Sequence, residues 1–156
     1  MAEQTAQRVD PYRGYNFRVE IQDVGEAVFS ECRGLGATIE AIRYAEGRSP
    51  VVKWLPGKVT YHEVHCLYGL TADPKVWEWM YLGLEGKVAR KNASIILLDT
   101  TGVQEVVRWD LEQAWITKWR AAALDALAQE VAIESVTFVY EQLRRTVTGV
   151  QQQAKG

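Results

Sequence analysis

Histidine and cysteine are scarce. The chain of 156 residues holds two of each. Nucleophilic and metal-assisted chemistry draws heavily on those residue types, so few positions could carry it. Long apolar runs are also missing, and none approaches the roughly 20 residues of a membrane span. The stretch from Met1 to Val9 is polar and lacks the hydrophobic centre of a signal peptide. Charge of one sign is lacking too. The formal net charge is −2, which demands neither nucleic acid nor an anionic membrane as partner. These absences lead us to expect synthesis in the cytoplasm, no membrane segment and no specific nucleic-acid binding. In that compartment Cys32 and Cys66 are expected to be buried free thiols rather than a disulfide.

Motifs of chemistry are equally thin. The string Tyr61-His62-Glu63-Val64-His65 has its histidines three positions apart, where a zinc-binding helix needs four. Read as part of a strand, His62 and His65 face opposite ways and cannot share a metal. No Gly-x-Ser-x-Gly elbow exists for a hydrolase. Gly34-Leu35-Gly36 lacks the third glycine and the following helix of a dinucleotide loop, so it reads as a turn or bulge between strands. Asp110 and Glu112 share a strand face and read as a solvated surface. Arg43, Lys53, Lys87, Arg90 and Lys91 are scattered and balanced by acids. We expect no catalytic residue, no metal and no cofactor.

What is abundant is apolar and aromatic surface. Nearly half the residues are hydrophobic (47%), with six Trp and seven Tyr, which is ample for one domain with one core. The patterning is mostly that of strands. From Tyr15, alternate residues Phe17, Val19 and Ile21 share one face, with Asn16, Arg18 and Glu20 on the other. Further strands are expected over Val28–Leu35, Thr38–Tyr44, Val59–Tyr68, Ala93–Leu98, Glu105–Glu112 and Val131–Leu143. In the strand from Glu105, the residues Val107, Trp109 and Leu111 form the core face. Asp99-Thr100-Thr101-Gly102 marks a hairpin turn.

One helix is expected from Pro74, capped by Asp73, to about Leu84. Val76, Trp77, Trp79, Met80, Tyr81 and Leu84 sweep roughly 200° of it, wider than packing on one sheet requires. Either the helix is generously buried in its own domain, or one flank, with Trp79, meets a second subunit. A shorter helix around Leu124–Gln129 rests on alanine content alone. The segment Ala45–Lys58 is anomalous. A connection between strands should be polar, yet it holds Val51, Val52, Trp54 and Leu55, beside Arg48. Fully burying one such side chain is worth roughly 1.5–3 kcal/mol, and exposing four together invites aggregation. The segment either folds back over its own domain or packs on a neighbour, and we expect the neighbour. The domain is expected over 10–145, between a flexible arm (1–9) and a polar tail (146–156).

Four blocks resemble the tail-tube family of contractile phages and related injection systems. They are Asp10–Ile21; Phe29–Leu35 with Ile39-Glu40, Tyr44 and Leu55-Pro56-Gly57; Ile95–Asp99 with Gly102 and Val107-Arg108-Trp109; and Ala114-Trp115 with Glu130–Glu134. They run in family order over nearly all of 10–143. The resemblance implies a mainly β fold, a small antiparallel barrel or sandwich with one flanking α-helix, in an Hcp-like tail-tube architecture. It implies no catalysis. It implies hexameric rings stacked into a tube inside a sheath, with baseplate, spike and cap proteins as partners and cargo in the lumen. It also implies that Ala45–Lys58 reaches an adjacent subunit, and that the chain is made in the bacterial cytoplasm for a phage tail or tail-like particle. The chain departs from the family pattern at Gln113-Ala114-Trp115-Ile116, where many relatives have Asn-Ala-Trp-Pro. A baseplate-proximal initiator, a type VI secretion ring protein and, more remotely, a monomeric ligand-binding β-barrel or a hydrolase using His62 or His65 stay open at this point.

Overall fold

The computed structural model describes residues 16–27, 29–69 and 73–148. The expected N-terminal arm, Tyr15, Val28, Leu70 and the end of the tail lie outside them. Among the described residues the elements run β1 (Phe17–Ile21), β2 (Gly25–Ala27), β3 (Glu31–Arg33), β4 (Ala37–Tyr44), β5 (Lys53–Tyr61), β6 (Val64–Gly69), α1 (Lys75–Leu84), β7 (Lys91–Leu98), β8 (Glu105–Arg120), β9 (Ile133–Val139) and β10 (Gln142–Val147). All pairings are antiparallel.

The body is one bent sheet in the order β2-β1-β7-β8-β9-β6-β3, with β10 also on β8. It is a sandwich, not a closed barrel: the strand path stays open from β2 to β3. The fold turns on β8. Its first half pairs β7 and β10, and its second half, Trp115–Arg120, pairs β9. Between the halves Gln113 takes a φ of 56°, uncommon for any residue but glycine. Asn, common at this point in the resembling family, enters that region more readily than Gln. The next residue, Ala114, is fully buried in the bend.

The core lies inside the bend. β1 and β7 contribute Val19, Ile21, Ala93 and Ile95; β8 contributes Leu111 and Ile116; β6 and β9 contribute Val64, Cys66, Val136 and Phe138. Alternation makes this inevitable, because each strand turns every second residue inward. Val107 and Leu111 are buried as their pattern predicts, while Trp109 is half-buried under the Arg145 guanidinium. α1 closes one side through Trp79 and Met80. It begins after Pro74, with the Lys75 N–H donating to Asp73 Oδ1 at 3.1 Å.

Four expected strands differ in extent. Glu105–Glu112 runs on through the bend to Arg120 as β8. Val59–Tyr68 is two strands with a break at His62-Glu63, because β5 belongs to a separate sheet and β6 to the body. Val131–Leu143 is also two strands. They part at Tyr140-Glu141, opposite the β8 bend, and the second runs on to Val147, so the domain extends past residue 145. Val28–Leu35 is cut short: β3 spans only Glu31–Arg33, and Gly34 follows at φ 91° with Glu63 O where a side chain would stand, 2.5 Å from a Cβ. Residues 124–129 are not helical. Asp125 accepts from the Leu127 N–H and the Ala128 N–H in a turn between β8 and β9.

Candidate assembly surface

The histidines and cysteines do not build a reactive centre. His62 lies in the break before β6, its Nε2 2.5 Å from Thr38 Oγ1. His65 Nδ1 sits 3.0 Å from Thr137 Oγ1 on β9. Cys32 and Cys66 are directly opposed on β3 and β6, and the Cys66 thiol donates to Cys32 Sγ at 3.2 Å. That bond lowers the Cys32 pKa and, with burial, raises that of Cys66. Cys66 is buried as expected, whereas Cys32 is only half-buried. Among the described residues no three His, Cys, Asp or Glu side chains gather as a metal-holding group.

Other polar groups are tied into the body. Burial and the Glu134 carboxylate hold the Tyr68 hydroxyl well above the usual phenol range, and Trp119 Nε1 donates to Glu134 at 3.4 Å. On the outer face of β1, β7 and β8, Arg108 reaches Glu105, Asp110, Glu20 and Ser94, and Arg18 reaches Glu105 at 2.9 Å. Arg18 Nε lies 3.2 Å from Glu20 yet makes no hydrogen bond there, being off-axis. Burial lowers the Arg108 pKa, but Asp110 and Glu105 more than offset it, so it rises. By strand register this roof covers Ile96, whose exposure is 0%. Exposed ion pairs are individually worth roughly 0–1 kcal/mol, so we read the roof as a closed outer surface rather than a catalytic one.

The hairpin is different. β4 and β5 form a two-stranded sheet of their own, with a bulge between Ile39 and Ala41. It springs from a firm base. The His62 N–H donates to Gly36 O at 2.8 Å, the Tyr140 hydroxyl donates to the same oxygen at 3.3 Å, and Tyr61 packs on Tyr140. Beyond that base every residue of β4 is exposed, and so is all of β5 except Gly57 and Tyr61. Alternation and register put Ala37, Ile39, Ala41, Arg43, Trp54, Pro56 and Val59 on one face, the extra residue of the bulge lying in β5 at Gly57-Lys58. The other face carries Thr38, Glu40, Ile42, Tyr44, Lys53, Leu55 and Thr60, with Glu40 and Ile42 side by side over Gly57. The first face is apolar but for Arg43.

At the tip the chain turns through Glu46–Ser49, with Lys53 Nζ 2.9 Å from Glu46. Trp54 is 62% exposed, shielded only by Arg43 5.7 Å from its ring, and Val51 is 64% exposed. Val52 and Leu55 are also exposed, and Arg48 has no acidic partner among the described residues. The structure thus gathers Arg48, Val51, Val52, Trp54 and Leu55 on one projecting element, clear of the body. Trp79 does not join them. It is buried in its own core, with Nε1 donating to Ala89 O at 2.7 Å and the ring against Phe138, so the expectation that it faces a neighbour is overturned. Its position on the inward side of α1 is what the sweep of aromatics obscured. The outward flank is Trp77, Tyr81 and Leu84; Trp77 leans on Trp119 at 4.7 Å, and Val76 is half-buried.

Sequence reasoning missed a further exposed apolar segment, residues 121–132 between β8 and β9. Leu124, Leu127 and Val131 are among its most exposed residues. Six alanines and a helical reading hid them.

Known proteins place this architecture. No curated protein sequence matches the chain. Among solved structures it is similar to the anti-feeding prophage cap, described as the tube-terminating cap, with TM-score 0.81 and 21% identity over 94% of this chain and 99% of that one. It is similar to a chain of the PVC extracellular contractile injection system in a sheath–tube complex, with TM-score 0.80 and 20% identity over 88% and 92%. The likeness to Hcp1 from Flavobacterium johnsoniae is lower, TM-score 0.54 and 9% identity over 85% and 96%. At these identities the structures speak for the fold. The family model for the T4-like virus tail tube protein gp19 matches residues 13–144. By that match, covering the hairpin and all of the body but the end of β10, the chain belongs to the T4-like virus tail tube protein family.

Proposed function

We propose that the chain is the repeating subunit of the inner tube of a contractile tail or tail-like injection particle. Copies form hexameric rings that stack into a hollow conduit, inside a sheath and between baseplate or spike and cap proteins, and cargo occupies the lumen. The protein catalyses nothing; its work is to be self-complementary and stiff. One observation carries the reading: a two-stranded sheet with an apolar face that no other described residue of its chain covers. A lone hairpin of that kind is at best marginally stable in water, and unpaired edges invite strand addition. Joining such hairpins around a ring covers the apolar faces and leaves the Thr38–Thr60 face toward a water-filled channel.

The likeness to a cap supports a second reading, a terminal ring that does not stack on both sides. Negative-stain imaging of the purified protein separates the two. Stacked tubes are expected for the repeating subunit, and isolated rings would reassign the chain to a tube end. A single-protomer mass in sedimentation at every concentration would end both readings.

A further inference from the structure

A contact that repeats head to tail needs two different patches on each copy. The hairpin tip is one. We infer that residues 121–133 are the other, and that this loop receives the β4–β5 tip of a second copy of the same chain. The inference rests on the self-assembly reading above and names the receiving surface.

Shape is the first argument. Residues 123–133 wall an open concavity of about 740 Å³, lined by Leu124, Val131 and Ile133 with several alanines. The tip is the converse, a projection bearing Val51, Val52 and Trp54. Position is the second. The hairpin leaves the body beside Val64 and Phe138, and the loop returns to it beside Ile133 and Gly69. Those are opposite ends of the paired strands β6 and β9, roughly 17 Å apart at a strand's rise per residue. Attachments at opposite ends of one strand pair suit a contact between copies rather than within one. Charge is the third. From Ala37 to Tyr61 the hairpin carries Arg43, Arg48, Lys53 and Lys58 against Glu40 and Glu46, a surplus of two positive charges. From Ala121 to Ile133 the loop carries Asp125 and Glu130 and no cation, a surplus of two negative charges. Glu130 has no ion-pair partner among the described residues. Opposed fields of this kind fix register and suppress wrong docking.

The test mixes two singly substituted preparations, Val52→Cys and Leu127→Cys, before assembly, and treats them with a short bismaleimide. Both positions are exposed, so each variant should melt as the unsubstituted protein does. Peptide mass spectrometry is expected to find the 52–127 link at least tenfold above links between like positions, and only in the mixture. Rings or tubes on the grid without that link would overturn this inference and leave the tube reading intact. Protein that never assembles would overturn both. An independent arm uses charge. Arg48→Glu and Glu130→Arg should each weaken association at least tenfold, and the two together should restore most of it; a double variant no better than the singles would overturn the inference.

Discussion

β6 and β4 are both short antiparallel strands in one chain, and they obey opposite rules. In β6, Val64, Cys66 and Tyr68 turn inward and are buried, with β9 and β3 on its two edges. In β4 no residue is buried, and β5 is its only neighbour among the described residues. Yet β4 carries large apolar residues as well, Ile39, Ile42 and Tyr44. Composition therefore does not decide burial here. Topology does, since the chain leaves the body at Gly36 and returns at His62. The body's apolar residues stabilise the protomer. On the self-assembly reading the hairpin's stabilise something larger, and substitutions in the two regions should then fail in different ways.

The largest effect is expected in the body. Leu111, 2% exposed, sits in the first half of β8 among the core residues. Leu111→Ala removes buried methyl groups and leaves a cavity, which costs about 2–5 kcal/mol. Against a total stability of roughly 5–15 kcal/mol that is a large share. Thermal melts followed by circular dichroism should show Tm falling by roughly 6–20 °C. An unchanged Tm would mean that the core does not rest on this strand.

Trp54→Asp should do the reverse. Trp54 touches Arg43 and little else, so the protomer's fold should survive with the change in stability inside about 0.5 kcal/mol. Ring formation should be lost in sedimentation and on grids. A second signature separates the regions further. Assembly stabilises the folded state by mass action, so the Tm of the unsubstituted protein should rise with concentration and that of Trp54→Asp should not. Normal rings from this variant would sever the hairpin from assembly.

Much of this was readable from residues alone, and the reasons differ by region. The single helix and the face of Val107 and Leu111 followed from periodicity, because a packed core forces each element to keep its period. The oddity of Ala45–Lys58 was visible as an apolar stretch where a turn belongs. The boundaries were less visible. Val59–Tyr68 has an unbroken strand pattern, and only the tertiary fold sends its halves to different sheets. Trp79 was misplaced because Trp77, Trp79 and Tyr81 lie within one turn and a half of α1; only packing on Phe138 tells which one enters the core. The apolar loop at 121–132 gave an alanine-rich helical signal, and nothing in its pattern says that the body leaves it uncovered.

The smallest expected effect lies in the turn that joins β7 to β8, the body's counterpart of the hairpin tip. At the tip, the Glu46 carboxylate meets a lysine. In this turn, Asp99 gathers donors from its own loop: the Thr101 hydroxyl at 2.6 Å, then the Val103 and Gln104 N–H groups at 3.2 and 3.3 Å. The Thr101 hydroxyl foremost, with the backbone N–H groups behind it, holds the Asp99 pKa below its ordinary value of 3.8. A folded-state pKa below the unfolded one stabilises the fold above pH 3.8, and that contribution disappears as pH falls through the depressed value. Asp99→Ala should therefore melt a little below the unsubstituted protein, by a gap that is constant from neutral pH to about 5 and closes in more acid solution. A gap that persists at the acid end would assign the turn's stability to its backbone geometry, with Gly102 at φ 74°, rather than to the carboxylate charge. Assembly should be untouched at neutral pH, because this turn contributes nothing to the hairpin or to the concavity that we infer receives it.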